Sequence, residues 1–187
     1  MKKKIVLVIG IKGVGKSSIL EGLEPEWRVI NYGDLMVDLL KNVHRDKILE
    51  LDFKTQREVQ KKALDVLIKE VKKEKRNVII DSHSVVIGSH GMLPGFPLFS
   101  LQRIKFDAII MIKADPKEIL ERRKKDEKIG RKRIIKDVNE IEWEQKMEEI
   151  FGMFCAELSG CPFIIIENPS GKLEEQRKKL KEILSIV

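Results

Sequence analysis

Residues 2–20, KKKIVLVIGIKGVGKSSIL, decide how the chain is read. Ile5 to Ile9 is apolar and mostly β-branched, the composition of a strand buried on both faces of a parallel sheet. Gly10-Ile11-Lys12-Gly13-Val14-Gly15-Lys16-Ser17 follows and meets the pattern G-x-x-x-x-G-K-[ST] at every fixed position. Glycines at those places let the backbone turn tightly with its N–H groups aimed inward. Those groups and the start of the next helix cradle phosphate oxygens. Lys16 is then expected to reach β- and γ-phosphates, and Ser17 to offer its hydroxyl to a bound magnesium ion. A buried strand before the loop and a helix after it are the setting this motif needs, which argues against a chance glycine-rich turn.

A chain of 187 residues suits one domain with a sizeable core. Charged residues make up 36% and apolar ones 42%, which describes a globular protein with a heavily charged surface. The longest apolar runs are too short to cross a bilayer and no signal peptide is visible, so a cytoplasmic enzyme without a membrane partner is expected. Cys155 and Cys161 form no C-x-x-C pair and have no partners for a metal site, so both read as buried free thiols. The net charge of +7 suits nucleic acid or polyanionic nucleotides equally. Lys and Glu are abundant while Asn and Gln are few, a balance that points to a thermophilic source.

Outward from the loop, a helix is expected over 16–23, with Pro25 marking the turn behind it. Residues 28–32 read as a second strand, and Asp34 as the cap of a helix carrying Leu35, Met36, Leu39 and Leu40. Residues 46–52 form a polar connection. Val59, Ala63, Val66, Leu67 and Val71 recur at helical spacing and predict a helix over 54–75. Residues 78–80 are a buried strand that ends in Asp81. Glycine and proline punctuate 88–97, which reads as a loop. A fourth strand over 108–112 runs into Ala114-Asp115-Pro116, which opens a helix with Asp as cap and Pro in the first turn. A basic stretch around Gly130, a helix over 137–158, a fifth strand over 163–166 and a closing helix over 173–186 complete the chain. Short apolar strands alternating with helices give a doubly wound α/β fold with a parallel sheet.

In combination the pieces resemble a nucleoside monophosphate kinase, and most closely the archaeal-type adenylate kinases. The resemblance is carried by GIKGVGKSS at the N-terminus, NYGDLM at 31–36, HRDKILELD at 44–52, TQREVQ at 55–60, DSHS at 81–84, GMLPGFP at 91–97 and ILERR at 119–123. It implies a P-loop NTPase fold in three α/β/α layers around a five-stranded parallel sheet of order 2-3-1-4-5. It also implies one domain over 1–187 with an acceptor-binding flap near 33–62 and a short lid near 124–137. ATP, AMP and ADP are the implied ligands, magnesium the implied cofactor, and a homotrimer the implied assembly. The chain departs from the family at Lys12, where proline is expected, and near Glu149, where arginine is expected.

Transfer between two phosphates asks little covalent chemistry of a protein, because the acceptor oxygen of a nucleoside monophosphate is already ionised. Alignment, charge neutralisation and exclusion of water do the work. Cations should therefore converge from several directions. The expected catalytic set is Lys16, Arg123, Arg131 and Arg133, with Arg122 beside them. Arginine is preferred to Lys124, Lys125 and Lys132 because it can hold phosphate oxygens bidentately. Nucleotide donor contacts are expected from Gly10, Ile11, Lys12, Gly13, Val14, Gly15, Lys16, Ser17 and Ser18. Acceptor contacts are expected from Asn31, Gly33, Asp34, Arg45, Gln56, Gln60, Gly95 and Gln102. Ser17 of the loop motif, and Asp81 at a strand end where open parallel sheets place their sites, are expected to hold magnesium, Asp81 through water. His83 reads as a structural hydrogen-bonder, His44 and His90 as lacking metal spacing, and Trp27 and Trp143 as packing residues.

Two other readings fit the loop. A different small-molecule kinase would use another nucleotide or a hydroxyl acceptor, which requires a base, and Asp81 is the one well-placed candidate. A P-loop ATPase of RNA or ribosome assembly fits the basic surface, but no aromatic-plus-basic nucleic-acid motif supports it.

Overall fold

A computed structural model describes residues 3–40, 45–88, 91–128 and 137–187. The chain begins with β1 (Ile5–Ile9), the phosphate loop and α1 (Lys16–Leu20), then β2 (Trp27–Asn31) and α2 (Tyr32–Leu40). A 3-10 turn (Arg45–Glu50) leads to α3 (Phe53–Lys73) and β3 (Asn77–Asp81). A hairpin of β4 (Val85–Gly88) and β5 (Gly91–Pro94) precedes α4 (Leu98–Leu101) and β6 (Ala108–Lys113). The chain closes with α5 (Pro116–Lys128), α6 (Val138–Ser159), β7 (Phe163–Glu167) and α7 (Leu173–Ile186).

The sheet has five parallel strands in the order β2-β3-β1-β6-β7. Counting sheet strands alone, this is the expected 2-3-1-4-5; the separate hairpin raises the later labels. Alternate side chains of β1 enter opposite faces, as a pleated strand requires. Val6 and Val8 join a core with Ile19, Leu20, Ile119, Leu180 and Leu184 on the side of α1, α5 and α7. Leu7 and Ile9 join the other core with Ala63, Leu64, Leu67, Phe96 and Phe106. Burial on both faces explains why β1, β3 and β6 read as continuous apolar runs. The strand order switches sides at β1, whose neighbours are β3 and β6, so the crevice beyond its carboxyl end is where a ligand belongs.

Several expectations change in detail. Asp34 is not the cap of α2. The helix begins at Tyr32, and Asn31 Oδ1 accepts from Asp34 N at 3.1 Å, so the asparagine at the strand end caps it. The expected loop over 88–97 contains half of a hairpin in which Val86 faces Leu93, because the residues that punctuate loops also make hairpin turns. Residues 45–50 form a 3-10 helix within the expected connection. Helix α1 stops at Leu20, shorter than 16–23. Asp52 caps α3 through Thr55 N, and Asp137 caps α6 with a reciprocal bond to Glu140. Trp27 is buried as expected, but Trp143 is 45% exposed on α6. Both cysteines are free; burial pushes the Cys155 thiol up to about 11, whereas Cys161 is only half-buried. Among the described residues no helix is long and apolar enough to cross a membrane.

Candidate active site

The phosphate loop is gripped from outside by side chains that lie far away in sequence. Glu148 Oε1 accepts from Gly10 N at 3.0 Å. Arg123 Nε donates to Lys12 O at 3.0 Å. Arg122 Nη1 and Asn168 Nδ2 both donate to Val14 O, at 3.1 and 2.7 Å. Only a residue without a side chain fits at Gly15, whose φ is +91° and where a Cβ would meet Asn168 Nδ2 at 2.4 Å. With its outer carbonyls engaged, the loop is held in shape before any phosphate binds.

Within this frame Lys16 opens α1, and its Nζ donates to Gly10 O while lying 3.8 Å from Asp81 Oδ1. Asp81 ends β3 in register with Val8 of β1 and Asn31 of β2. Asn31 Nδ2 donates to Asp81 Oδ2 at 2.8 Å, which fixes the carboxylate plane. Asp81 Oδ1 is buried and accepts no hydrogen bond among the described residues. A buried carboxylate oxygen left open beside a lysine suits a hydrated cation, so Asp81 fits the metal role proposed for it. Ser17 is exposed in the first turn of α1.

The expected lid arginines divide. Arg123 is only 4% exposed; besides Lys12 O it pairs with Glu144 at 2.9 Å. Arg122 Nη2 donates to Glu118 Oε2 and Asn168 O, both at 2.9 Å. Both arginines thus lie against the loop backbone. Arg131, Arg133 and the surrounding basic stretch fall outside the described residues, as do His44, His90 and the side chain of Arg45.

On the acceptor side, Gly33 and Asp34 fall in the first turn of α2. Gln56 is buried and donates to Leu51 O at 2.6 Å. Gln60 donates to Pro94 O at 2.8 Å, joining α3 to the hairpin rim, and its own carbonyl accepts from Tyr32 Oη at 2.7 Å. Gly95 comes so close to the chain at His83 that a Cβ would lie 2.4 Å from His83 O. Gln102 is exposed at the C-terminal end of α4. Glu149 pairs with Lys113 at 2.8 Å.

Glu148 is the principal residue that sequence reasoning missed. It is fully buried and accepts from Gly10 N, Ser84 N, Ser84 Oγ and Val85 N. His83 Nδ1 stands 3.7 Å from Oε1, a loose contact. Burial opposes ionisation of Glu148, but His83, the Val85 amide and the Lys16 charge outweigh it and hold its pKa below the ordinary carboxylate value. Burial, aided by Lys16, holds the His83 pKa below the usual histidine value, which leaves it a neutral hydrogen-bonder near pH 7. A signal did exist. Ile141, Gln145, Glu148, Gly152 and Cys155 fall on one helical face that is otherwise buried, so a carboxylate there needs partners.

Comparisons with known proteins agree with this geometry. A family model described as an AAA domain matches residues 9–142. The adenylate kinase of Methanopyrus kandleri is 36% identical over 189 residues, covering 95% of this chain and 96% of that one. The adenylate kinase of Pyrococcus furiosus is 35% identical, covering 97% of this chain and 95% of its own. Among solved structures, a shikimate kinase from Bacteroides thetaiotaomicron matches with a TM-score of 0.62 over 98% of this chain and 99% of that chain; at 13% identity it speaks for the fold alone. A loop braced at the carboxyl end of the central strand, an open carboxylate beside its lysine, and end-to-end identity with enzymes of one activity converge, and the chain belongs to the archaeal adenylate kinase family.

Proposed function

We propose that the protein catalyses reversible transfer of the γ-phosphoryl group of ATP to AMP, giving two ADP, with magnesium, in the cytoplasm. The observation that carries this reading is the Lys16–Asp81 pair set inside the braced loop, at the crevice beyond β1 and β3. The loop amides and Lys16 bind the donor phosphates and oppose the charge that accumulates on them in transfer. Ser17 and Asp81 would hold the magnesium ion, Asp81 through water, and an ion held there would offset charge on the donor phosphates. Asn31 keeps the Asp81 carboxylate oriented. Gly33, Asp34, Arg45, Gln56, Gln60, Gly95 and Gln102 are proposed for AMP, with Arg45 on its phosphate. Arg131 and Arg133 are proposed to complete the site from a lid at 124–137, Arg123 to act from the loop it braces, and the flap is proposed at 33–62. Closure excludes water, which otherwise competes as acceptor.

A homotrimer is proposed for the assembly. Exposed Trp143, Ile150, Met153, Phe154 and Leu158 lie along α6, and a stripe of this kind supports contact with a second copy.

The test is a coupled assay with ATP and a panel of acceptors. AMP is expected to be phosphorylated ten-fold to several-thousand-fold better than GMP, CMP or UMP, the range given by one or two buried hydrogen bonds of about 1–3 kcal/mol each. Preference for GMP or for a hydroxyl acceptor such as shikimate would defeat the AMP assignment.

A further inference from the structure

We infer that Glu148 is a positioning residue: its carboxylate ties the phosphate loop to the acceptor-side hairpin and so fixes the spacing across which the phosphoryl group moves. The inference rests on the transfer reaction proposed above.

The carboxylate joins three places in the chain. Its Oε1 accepts from Gly10 N, at the first residue of the loop, and from Ser84 N, both at 3.0 Å. Its Oε2 accepts from Ser84 Oγ at 2.9 Å and from Val85 N, at the start of β4, at 3.1 Å. Ser84 Oγ also lies 2.8 Å from Glu148 O, so its single proton is shared between the carboxylate and the helix backbone. Glu148 itself has no exposed surface. A group that only accepts, with about four lone-pair sites, is the one side chain type that can serve these four donors together. An amide in its place would set an NH2 group against an N–H or O–H donor.

The tie continues from the hairpin into the acceptor half. Ser84 O accepts from Gly95 N at 2.9 Å, and Pro94 O accepts from Gln60 Nε2 at 2.8 Å. Gln60 O accepts in turn from Tyr32 Oη, at the first residue of α2. One buried charge therefore sets where the donor loop stands relative to the walls of the acceptor cleft. An apolar side chain of similar volume would fill the site but leave the Gly10, Ser84 and Val85 amides unpaired, so packing by itself does not supply the tie. Alignment does require it, because phosphoryl transfer depends on the placement of two oxygens and a phosphorus in line.

The experiment uses the full chain with Glu148→Gln and with the milder Ser84→Ala, which removes one donor and leaves the carboxylate. Four quantities are measured on folded protein: kcat, the dissociation constants of ATP and of AMP separately, and that of a bisubstrate compound joining two adenosines through five phosphates. In Glu148→Gln, kcat is expected to fall roughly a hundred-fold, the scale of an ångström of misplacement. ATP and AMP taken singly are expected to bind within about three-fold of normal, while the bisubstrate compound loses affinity in step with kcat. Ser84→Ala is expected to show the same split at about ten-fold. A lowered melting temperature with full kcat and full bisubstrate affinity would make Glu148 a packing residue and overturn the inference. If Glu148→Gln does not fold, Ser84→Ala decides by the same criteria. A wild-type protein that does not phosphorylate AMP overturns the reaction and this inference with it; normal wild-type turnover with unsplit variants overturns the inference alone.

Discussion

The donor loop and the proposed acceptor cleft are built by opposite means. In the loop, backbone groups are held by distant side chains: Lys12 O by Arg123, Val14 O by Arg122 and Asn168, and Gly10 N by Glu148. In the cleft, side-chain amides are held by backbone carbonyls: Gln56 by Leu51 O and Gln60 by Pro94 O. The first arrangement stores alignment in the framework. The second leaves recognition to a few side chains whose partners a ligand can replace. Substitutions on the donor side should therefore act on kcat, and those on the acceptor side on KM for AMP.

The largest expected effect is at Lys16. Its Nζ donates to Gly10 O beside Asp81 and belongs to neither apolar core, so Lys16→Ala should keep the fold and lose about two to four powers of ten in turnover, the scale of removing a preorganised charge at a transferring phosphoryl group. Near-normal turnover in the folded variant would break the donor half of the comparison. Asp81→Asn comes next. It keeps the bond geometry to Asn31 but removes the open anionic oxygen. We expect about a 10- to 100-fold loss at low magnesium, the size usual for disturbed metal-site support, with partial recovery as magnesium rises. An unchanged magnesium dependence would reduce Asp81 to a structural residue.

How far these features could be read from sequence follows from the same contrast. The phosphate motif is contiguous, because a single turn must present its amides and lysine together. Lys16 and Ser17 were therefore legible from spacing, and Asp81 from its place at the end of an apolar run. The braces were not. Glu148 and Asn168 lie 138 and 154 residues from their partners in the loop, and no local pattern links them. Asn31 was singled out for the acceptor, yet here it orients Asp81 and caps α2, because a short amide at a strand–helix junction can serve both. The part of the hairpin within 88–97 reads as loop, since its glycines and proline carry the same local signal in either setting.

Smaller effects sharpen the comparison. Arg131→Ala and Arg133→Ala should each lower kcat about ten- to a hundred-fold, as one charge-assisted hydrogen bond of about 1.5–3 kcal/mol would. ATP binding should change less, because contacts from the proposed lid would form only on closure. Full activity in both would leave the basic stretch a solvated surface. Arg45→Ala should raise KM for AMP about ten-fold, one charge-assisted contact's worth, while KM for ATP stays the same. Equal changes in both would contradict the division between the halves.

The most direct measurement follows the products when equimolar ATP and AMP are mixed with the protein and magnesium. The account predicts that both are consumed together, that two ADP appear for each pair, and that no inorganic phosphate is released. Phosphate release with AMP left intact would contradict it, and would make the braced loop the site of an ATPase.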